Sequence, residues 1–219
     1  NLMSSICKGF GGRSRYKELK ILPSKELSGA KNVVLIVLDG LGYDYLMKYG
    51  KESVFCEHLR GRMTSVFPST TASAITTFYT GVAPQQHAVT GWHMFLKELG
   101  TVGTLLPYVA RFSKERLDVP VEKLIDQAPV FAGMKARSFQ VIPRDLMKSD
   151  YNLAFSQKTK YFHAETLRGL FGGVKKVLKE RGRRKYVYAY WPGMDALCHG
   201  FGTKSMQAFV HLHELHYAF

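Results

Sequence analysis

The sequence predicts an α/β fold built around a mainly parallel sheet. Residues 32–40 (NVVLIVLDG) and 185–193 (KYVYAYWPG) are apolar runs without alternation, a pattern typical of strands that are buried on both faces. Helical patterns follow both runs, and strands that alternate with helices favour a parallel sheet. A chain of 219 residues with 46% hydrophobic content is long enough for one domain with a substantial core.

The elements of the N-terminal half are expected in the following order. Residues 32–40 form a strand that ends at Asp39, and a helix begins near residue 43. Residues 61–68 (GRMTSVFP) form a second strand. It leads into a helix rich in Ser and Thr, whose apolar residues recur at helical spacing from Ala72 and whose end is expected at Gly81.

The C-terminal half continues the alternation. Residues 101–109 and 138–143 are candidate strands, and residues 163–182 show a helical pattern interrupted at Gly172 and Gly173. The strand at 185–193 ends at Pro192, and a last helix covers residues 203–219. Residues 111–160 are the least regular, so we predict an insertion or cap over the sheet there.

Composition restricts the partners without choosing one. The formal net charge of +14 suits phosphate esters, nucleic acid or an anionic membrane surface. Cys7, Cys56 and Cys198 are too far apart for a disulfide framework or a cysteine zinc knuckle, and reduced thiols fit a cytoplasmic protein. No stretch has the apolar length of a membrane span. The chain starts at residue 1 without Met and stops inside a helical pattern, so we expect both ends to be cut.

The sequence contains two further groups of polar residues that could form a binding site. A basic run between Lys175 and Lys185 is predicted to be a solvated helix end and turn rather than a nucleic-acid patch, because no aromatic residues are interleaved with it. His211, His213 and His216 are predicted to decorate a solvated helix face rather than to bind metal.

Candidate functional residues follow the predicted strands. Asp39 follows the first strand, the hydroxyls of residues 69–71 follow the second, and Asp195 and His199 follow the strand at 185–191. Singly, they can be a turn residue, an N-cap and helix-surface residues. Ligands in such sheets bind beyond the carboxyl ends of the strands, so the convergence of these residues indicates a site.

The residue types suggest metal-assisted chemistry on a phosphate. Carboxylate and imidazole bind zinc and similar ions, and Asp195 and His199 are one helical turn apart. A hydroxyl at a helix N-terminus can act as nucleophile, and the free N–H groups there can hold an anion. Thr71 is the preferred nucleophile because it is the last hydroxyl before Ala72. Ser69 and Thr70 are its competitors, and Thr71 as a simple N-cap is the structural alternative.

These residues carry a resemblance to the alkaline phosphatase superfamily, and more narrowly to the type I phosphodiesterase/nucleotide pyrophosphatase family. Residues 33–42 resemble the family's first metal motif, and residues 67–92 resemble its nucleophile motif. Residues 188–202 resemble its Asp-x-x-x-His metal motif. The resemblance implies a three-layer sandwich with a mainly parallel central sheet, of which residues 1–219 would be a truncated N-terminal part of one catalytic domain.

The resemblance also implies roles for individual residues. Thr71 would be the covalent nucleophile and, with Asp39, would bind one divalent ion, whereas Asp195 and His199 would bind the second. Zinc is the expected metal, with manganese as the alternative. Trp92 stands where the nucleotide pyrophosphatases place an Asn that helps to hold the phosphoryl oxygen. We therefore expect Trp92 to contact substrate and the leaving group to differ from a nucleotide. The family's further ligands, an Asp-His pair and a later His, have no match after His199.

The sequence therefore predicts a metal-dependent hydrolase of small phosphate esters, most favourably a phosphodiesterase or nucleotide pyrophosphatase with a covalent Thr intermediate at a two-metal site. By itself, the fragment is expected to be inactive. Two alternatives stay open: a phosphomonoesterase or phosphomutase of the same superfamily, and a non-catalytic, basic nucleic-acid-binding module.

Overall fold

The computed structural model describes residues 1–156 and 159–219. The helices are α1 Leu2–Gly9, α2 Ser24–Ser28, α3 Tyr43–Tyr49, α4 Val54–Glu57, α5 Thr71–Thr80, α6 Pro84–His87, α7 Val121–Leu124, α8 Arg144–Met147, α9 Asp150–Phe155, α10 Leu167–Lys179, α11 Gly193–Phe201 and α12 Met206–Ala218, with 3₁₀ turns at Lys97–Leu99 and Val130–Gly133. The strands are β1 Asn32–Leu38, β2 His93–Leu96, β3 Thr101–Thr104, β4 Val109–Ala110, β5 Arg137–Ile142, β6 Lys160–His163 and β7 Lys185–Trp191.

The central sheet has the strand order β1-β7-β5-β6, and every pair in it is parallel. This arrangement confirms the predicted α/β fold. A second, antiparallel sheet of the order β2-β3-β4 lies outside this central sheet. In the described chain β1 is an edge strand and is half-buried at all seven positions, whereas β7 is buried at six of seven.

Helices cover both faces of the central sheet and give the chain three layers. On one face, the aromatic residues of β7 pack with α1, α5 and α9; that core includes Tyr186, Tyr188 and Tyr190. On the other face, β5 and β7 present Phe139, Val141 and smaller apolar residues to α10. The core therefore lies on either side of β7 and β5, which explains why these strands show no alternation in sequence.

Two predicted features, a strand and a helix break, differ from the observed structure. Residues 61–68 lie in an irregular, mostly exposed segment and form no strand, so α5 is entered from a loop. The pattern around Gly172 and Gly173 is one unbroken helix, α10. A Cβ on Gly173 would lie 2.8 Å from Val141 Cγ1, so this glycine allows close packing of α10 on β5 rather than ending the helix.

The stretch from 111 to 160, expected to be an insertion or cap, contains β5 at the centre of the sheet. That part of the stretch belongs to the sheet, and a cap formed by the remainder stays a prediction. The short strand β6 begins at Lys160, where this stretch ends, and the sequence pattern did not predict it.

The basic run does not lie entirely in solvent, contrary to expectation. Lys185 is fully buried, and its Nζ donates to the carbonyl oxygens of Val177 and Leu178, each at 3.1 Å, and of Glu180 at 2.5 Å. These carbonyls lie at the C-terminal end of α10, where helical groups lack partners of their own. Arg184 likewise donates to three backbone carbonyls, those of residues 9, 27 and 30. Both side chains join elements together and are not free to form a surface patch.

Candidate active site

The carboxyl ends of β1 and β7 lie side by side. The two strands pair in parallel up to Leu38 opposite Trp191. Two backbone hydrogen bonds continue this pairing past the strands: Asp39 N–H donates to the Trp191 carbonyl at 3.0 Å, and Asp195 N–H donates to the Asp39 carbonyl at 3.1 Å. Two candidate residues that are far apart in sequence are therefore held together by main-chain contacts.

Gly40 makes this close approach possible. Its φ is +78°, a conformation that L side chains rarely adopt. A Cβ at this position would lie 2.7 Å from both the backbone nitrogen and the Cα of Asp195. Glycine is thus required here for two independent reasons, backbone conformation and space.

The carboxylate of Asp39 is the centre of the observed polar contacts. Its Oδ2 accepts a hydrogen bond from Thr71 Oγ1 at 3.1 Å and a second from the Tyr190 hydroxyl at 2.7 Å. Among the described residues no hydrogen bond engages Oδ1. One carboxylate oxygen is therefore fixed by two donors, and the other is left for an external partner.

Thr71 is the first residue of α5, and Thr70 occupies the N-cap position. The structural alternative, in which Thr71 is itself the N-cap, is therefore wrong. The Thr70 carbonyl accepts the first helical bond, from Ala74 N–H at 3.0 Å, but its side chain makes no capping hydrogen bond. The N–H groups of the first turn have no partner within the helix, so the turn beside Thr71 Oγ1 can receive an anion.

Asp195 and His199 lie one turn apart on α11. His199 Nε2 is 3.6 Å from Asp195 Oδ2, and the His199 side chain is 82% exposed. Burial raises the pKa of the Asp195 carboxyl, the negative charge of Asp39 raises it further, and His199 opposes these effects. Two carboxylates thus repel each other at the strand ends.

A divalent cation fits this donor set. Oxygen and imidazole ligands suit zinc or manganese, and positive charge would relieve the repulsion between Asp39 and Asp195. Within residues 1–156 and 159–219, no three His, Cys, Asp or Glu side chains converge on one point. The candidate ligands form two pairs instead, Asp39 with Thr71 and Asp195 with His199.

Trp92 and His87 lie on the segment that follows α5. Trp92 directly precedes β2; its carbonyl accepts Leu105 N–H at 3.0 Å, and the residue is 37% exposed. Contact with substrate stays a prediction for Trp92. His87 is buried, with Nδ1 accepting Val89 N–H and Nε2 beside Thr77 Oγ1, both at 3.1 Å. These bonds tie His87 to the loop and to α5.

The histidines of α12 do not share one solvated face, contrary to expectation. His211 is buried, and its Nε2 accepts Trp191 Nε1–H at 3.0 Å while Nδ1 contacts Glu214 at 2.7 Å. His216 Nδ1 accepts the backbone N–H of Val54 at 3.0 Å. Both histidines are engaged in packing contacts, and only His213 lies exposed.

Tyr190 is the contact of Asp39 that sequence analysis missed. A signal was present: tyrosines at positions 186, 188 and 190 alternate along β7 and must share one face. The last of them is one residue from the strand end, where the candidate carboxylates lie. Its hydroxyl could therefore be expected at the site, but only once β7 is known to pair with β1.

Comparison with known proteins gives a family and a fold. The family model described as type I phosphodiesterase / nucleotide pyrophosphatase matches residues 33–216. No curated protein sequence matches the chain significantly. The solved structure of murine ectonucleotide pyrophosphatase / phosphodiesterase 5 is similar, with a TM-score of 0.61 at 17% identity over 85% of this chain and 51% of that one.

Phosphonoacetate hydrolase from Sinorhizobium meliloti 1021, solved in complex with phosphonoformate, has a TM-score of 0.57 at 15% identity. The match covers 84% of this chain and 51% of that one. At these identities the similarity shows the fold alone. The chain spans about half the length of the solved structures that it matches.

Proposed function

The chain belongs to the type I phosphodiesterase / nucleotide pyrophosphatase family, and from that premise we propose that it carries the nucleophile half of a metal-dependent phosphate-ester hydrolase. The observation that supports this most directly is the hydrogen bond of 3.1 Å from Thr71 Oγ1 to Asp39 Oδ2 at the start of α5. It joins a hydroxyl that can attack phosphorus, a carboxylate that can accept its proton, and a helix N-terminus that can hold the phosphoryl oxygens.

In the proposed reaction Thr71 Oγ1 attacks phosphorus, and a new O–P bond forms as the P–O bond to the leaving group breaks. The hydroxyl proton has an acceptor in Asp39 Oδ2, to which it already points. The free N–H groups of the first turn of α5 hold the phosphoryl oxygens. With a diester substrate the adduct is itself a phosphodiester of Thr71; water attacks its phosphorus, the P–O bond to Thr71 breaks, the phosphate monoester is released, and Thr71 Oγ1 recovers its proton.

Two divalent ions are part of the proposal. Asp39 and Thr71 would hold one, and Asp195 and His199 would hold the other. When bound, zinc or manganese would lower the pKa of the attacking hydroxyl and balance the charge on the phosphoryl oxygens. The exposed His199 and the unengaged Oδ1 of Asp39 leave room for further ligands from outside this chain.

The test is turnover of bis-p-nitrophenyl phosphate by the full-length protein. Thr71→Ala should lose several orders of magnitude in kcat and give no covalent adduct on acid quenching, whereas wild type yields the p-nitrophenyl phosphoryl ester of Thr71. Thr70→Ala is the matched control, because it removes a neighbouring hydroxyl that makes no capping bond. Retention of more than about a tenth of the activity by Thr71→Ala, a loss below ~1.4 kcal/mol, would place the nucleophile elsewhere.

Metal dependence is tested on the same protein. Dialysis against EDTA should abolish turnover, and added zinc or manganese should restore it. Undiminished turnover after exhaustive chelation would exclude the metal part of the proposal while leaving the Thr71 test standing.

The substrate is proposed to be a small diester, with Trp92 near the leaving group. A phosphomonoesterase or phosphomutase remains the alternative within the superfamily, and comparison of p-nitrophenyl phosphate with the diester distinguishes hydrolysis of the two ester types. Among the described residues, no helix has both the length and the apolar character that crossing a membrane requires. A cytoplasmic location stays a prediction from the three widely spaced cysteines.

A further inference from the structure

Tyr190 is the second donor to the Asp39 oxygen that also accepts from Thr71. Tyr190 is 4% exposed and donates its hydroxyl proton to Asp39 Oδ2 at 2.7 Å, a shorter contact than the 3.1 Å from Thr71. Short hydrogen bonds to an ionised acceptor are among the stronger polar contacts in proteins. The best-defined partner of the carboxylate is therefore a residue outside the predicted site.

Tyr190 is more deeply buried than the residue it contacts. It lies in β7, which pairs with β1 on one side and β5 on the other, and Val37 is directly opposite. Its ring belongs to the buried core that also contains α5. Asp39, by contrast, follows the end of β1 and is only half-buried. Packing in the core thus places the hydroxyl of Tyr190, which can orient the carboxylate of Asp39.

We propose that Tyr190 is a positioning residue for Asp39. By occupying Oδ2 from the sheet side, it fixes the rotation of the carboxylate, so that Oδ2 faces the Thr71 hydroxyl and Oδ1 points to the place where a cation would bind. This inference rests on the proposed function, since it assigns Tyr190 to the same site. Outer partners of ligating carboxylates typically change metal affinity or activity by about 10–100-fold when removed.

The chain contains a matched control for Tyr190. Tyr188 lies two residues earlier on the same strand and the same face, and it is fully buried. Within the described part of the chain, its hydroxyl has no hydrogen-bond partner. Tyr188→Phe and Tyr190→Phe therefore remove the same atom from the same strand, but only the second removes a bond to Asp39.

The experiment measures zinc affinity by competition with a chromophoric chelator, together with kcat and KM for bis-p-nitrophenyl phosphate, in the full-length protein. Tyr190→Phe should weaken zinc binding by about 10–100-fold and lower kcat in step, with KM nearly unchanged. Tyr188→Phe should match wild type in all three. Urea unfolding of the metal-free proteins checks that both variants keep the fold.

The outcomes separate the inference from the function on which it rests. If Asp39→Ala abolishes zinc binding and turnover while Tyr190→Phe behaves as Tyr188→Phe does, the positioning role is overturned and the proposed site stands. If Asp39→Ala itself leaves zinc affinity and turnover intact, the proposed function fails. Failure of Tyr190→Phe to fold, with Asp39→Ala folded, would also overturn the inference, because Tyr190 would then be needed by the core and not by the carboxylate.

Discussion

Replacing Lys185 with methionine tests how a buried cation stabilises this fold. Methionine has nearly the same length and volume, so the substitution removes charge and donors without opening a large cavity. Nζ donates to three carbonyl oxygens at the end of α10, at 2.5 to 3.1 Å. The Val177 carbonyl keeps one partner in the substituted protein, because it also accepts the backbone N–H of Glu180 at 3.1 Å.

The expected loss of stability follows from the two carbonyls that are left without a partner, those of Leu178 and Glu180. An unsatisfied buried acceptor costs roughly 1–3 kcal/mol, and these two are only partly buried, which favours the lower end. The lost interaction of the cation with the helix C-terminus adds about 0.3–1 kcal/mol. Relief from desolvating the ammonium opposes both effects. We expect Lys185→Met to lower the free energy of unfolding by about 2–4 kcal/mol.

Urea denaturation followed by circular dichroism measures this change. With a slope of about 2 kcal/mol per molar, the midpoint should fall by on the order of 1 M or more. Lys179→Met is the control, since Lys179 is an exposed residue in the last turn of the same helix and should change stability by less than about 0.5 kcal/mol. Equal midpoints for the two variants would refute the role assigned to Lys185.

Two further predictions concern the loop beside the site and the support of α5. Gly40→Ala should destabilise the protein by about 2 kcal/mol, from a strained φ and a clash with Asp195. Gly42→Ala meets open space but replaces the N-cap of α3, so it should cost less, about 0.5–1 kcal/mol, in the same urea titration. Burial lowers the pKa of His87 from 6.5 to about 4. The unfolded chain therefore binds a proton at His87 between these values and the folded chain does not, so stability is full above pH 6.5 and falls as pH decreases toward 4. By pH 5 this effect of His87 should lower the free energy of unfolding by about 2 kcal/mol. His87→Gln should make stability depend less on pH in this range, and an unchanged pH dependence would contradict the role assigned to His87.

The parts of the fold that sequence predicted are those in which local pattern and burial agree. Residues 33–38 and 186–191 form apolar and aromatic runs because β1 and β7 share the central sheet, and Gly81 ends α5 with φ +72° as expected. The strand predicted at 61–68 failed because an apolar residue count cannot show whether a neighbouring strand is present to pair with it. Gly173 was mistaken for a helix breaker because its role, contact with Val141, exists only in three dimensions.

Some residues of the candidate site were likewise predictable from sequence, and others were not. Asp39 and Thr71 were predicted from motifs, and the structure brings them within hydrogen-bond distance. Asp195 was expected beside them from the strand ends and the motifs, and the pairing of β1 with β7 adds the backbone contact that ties it to Asp39. The contacts of Tyr190 and His211 escaped prediction because their partners Asp39 and Trp191 are distant in sequence. The partners of Lys185 are only five to eight residues away, but a buried Lys has the same letter as an exposed one.

Backbone hydrogen bonds that continue from β1 to β7 beyond the strand ends hold Asp39 and Asp195 together, and the segment around Trp92 takes no part in them. The spacing of Asp39 and Asp195 is set by backbone atoms, which substitution of nearby side chains leaves in place. Trp92, by contrast, is anchored to the small antiparallel sheet through Leu105. Under the proposed function, the segment around Trp92 could therefore be varied to admit new leaving groups while the backbone contact between Asp39 and Asp195 is kept, and natural divergence could follow the same route.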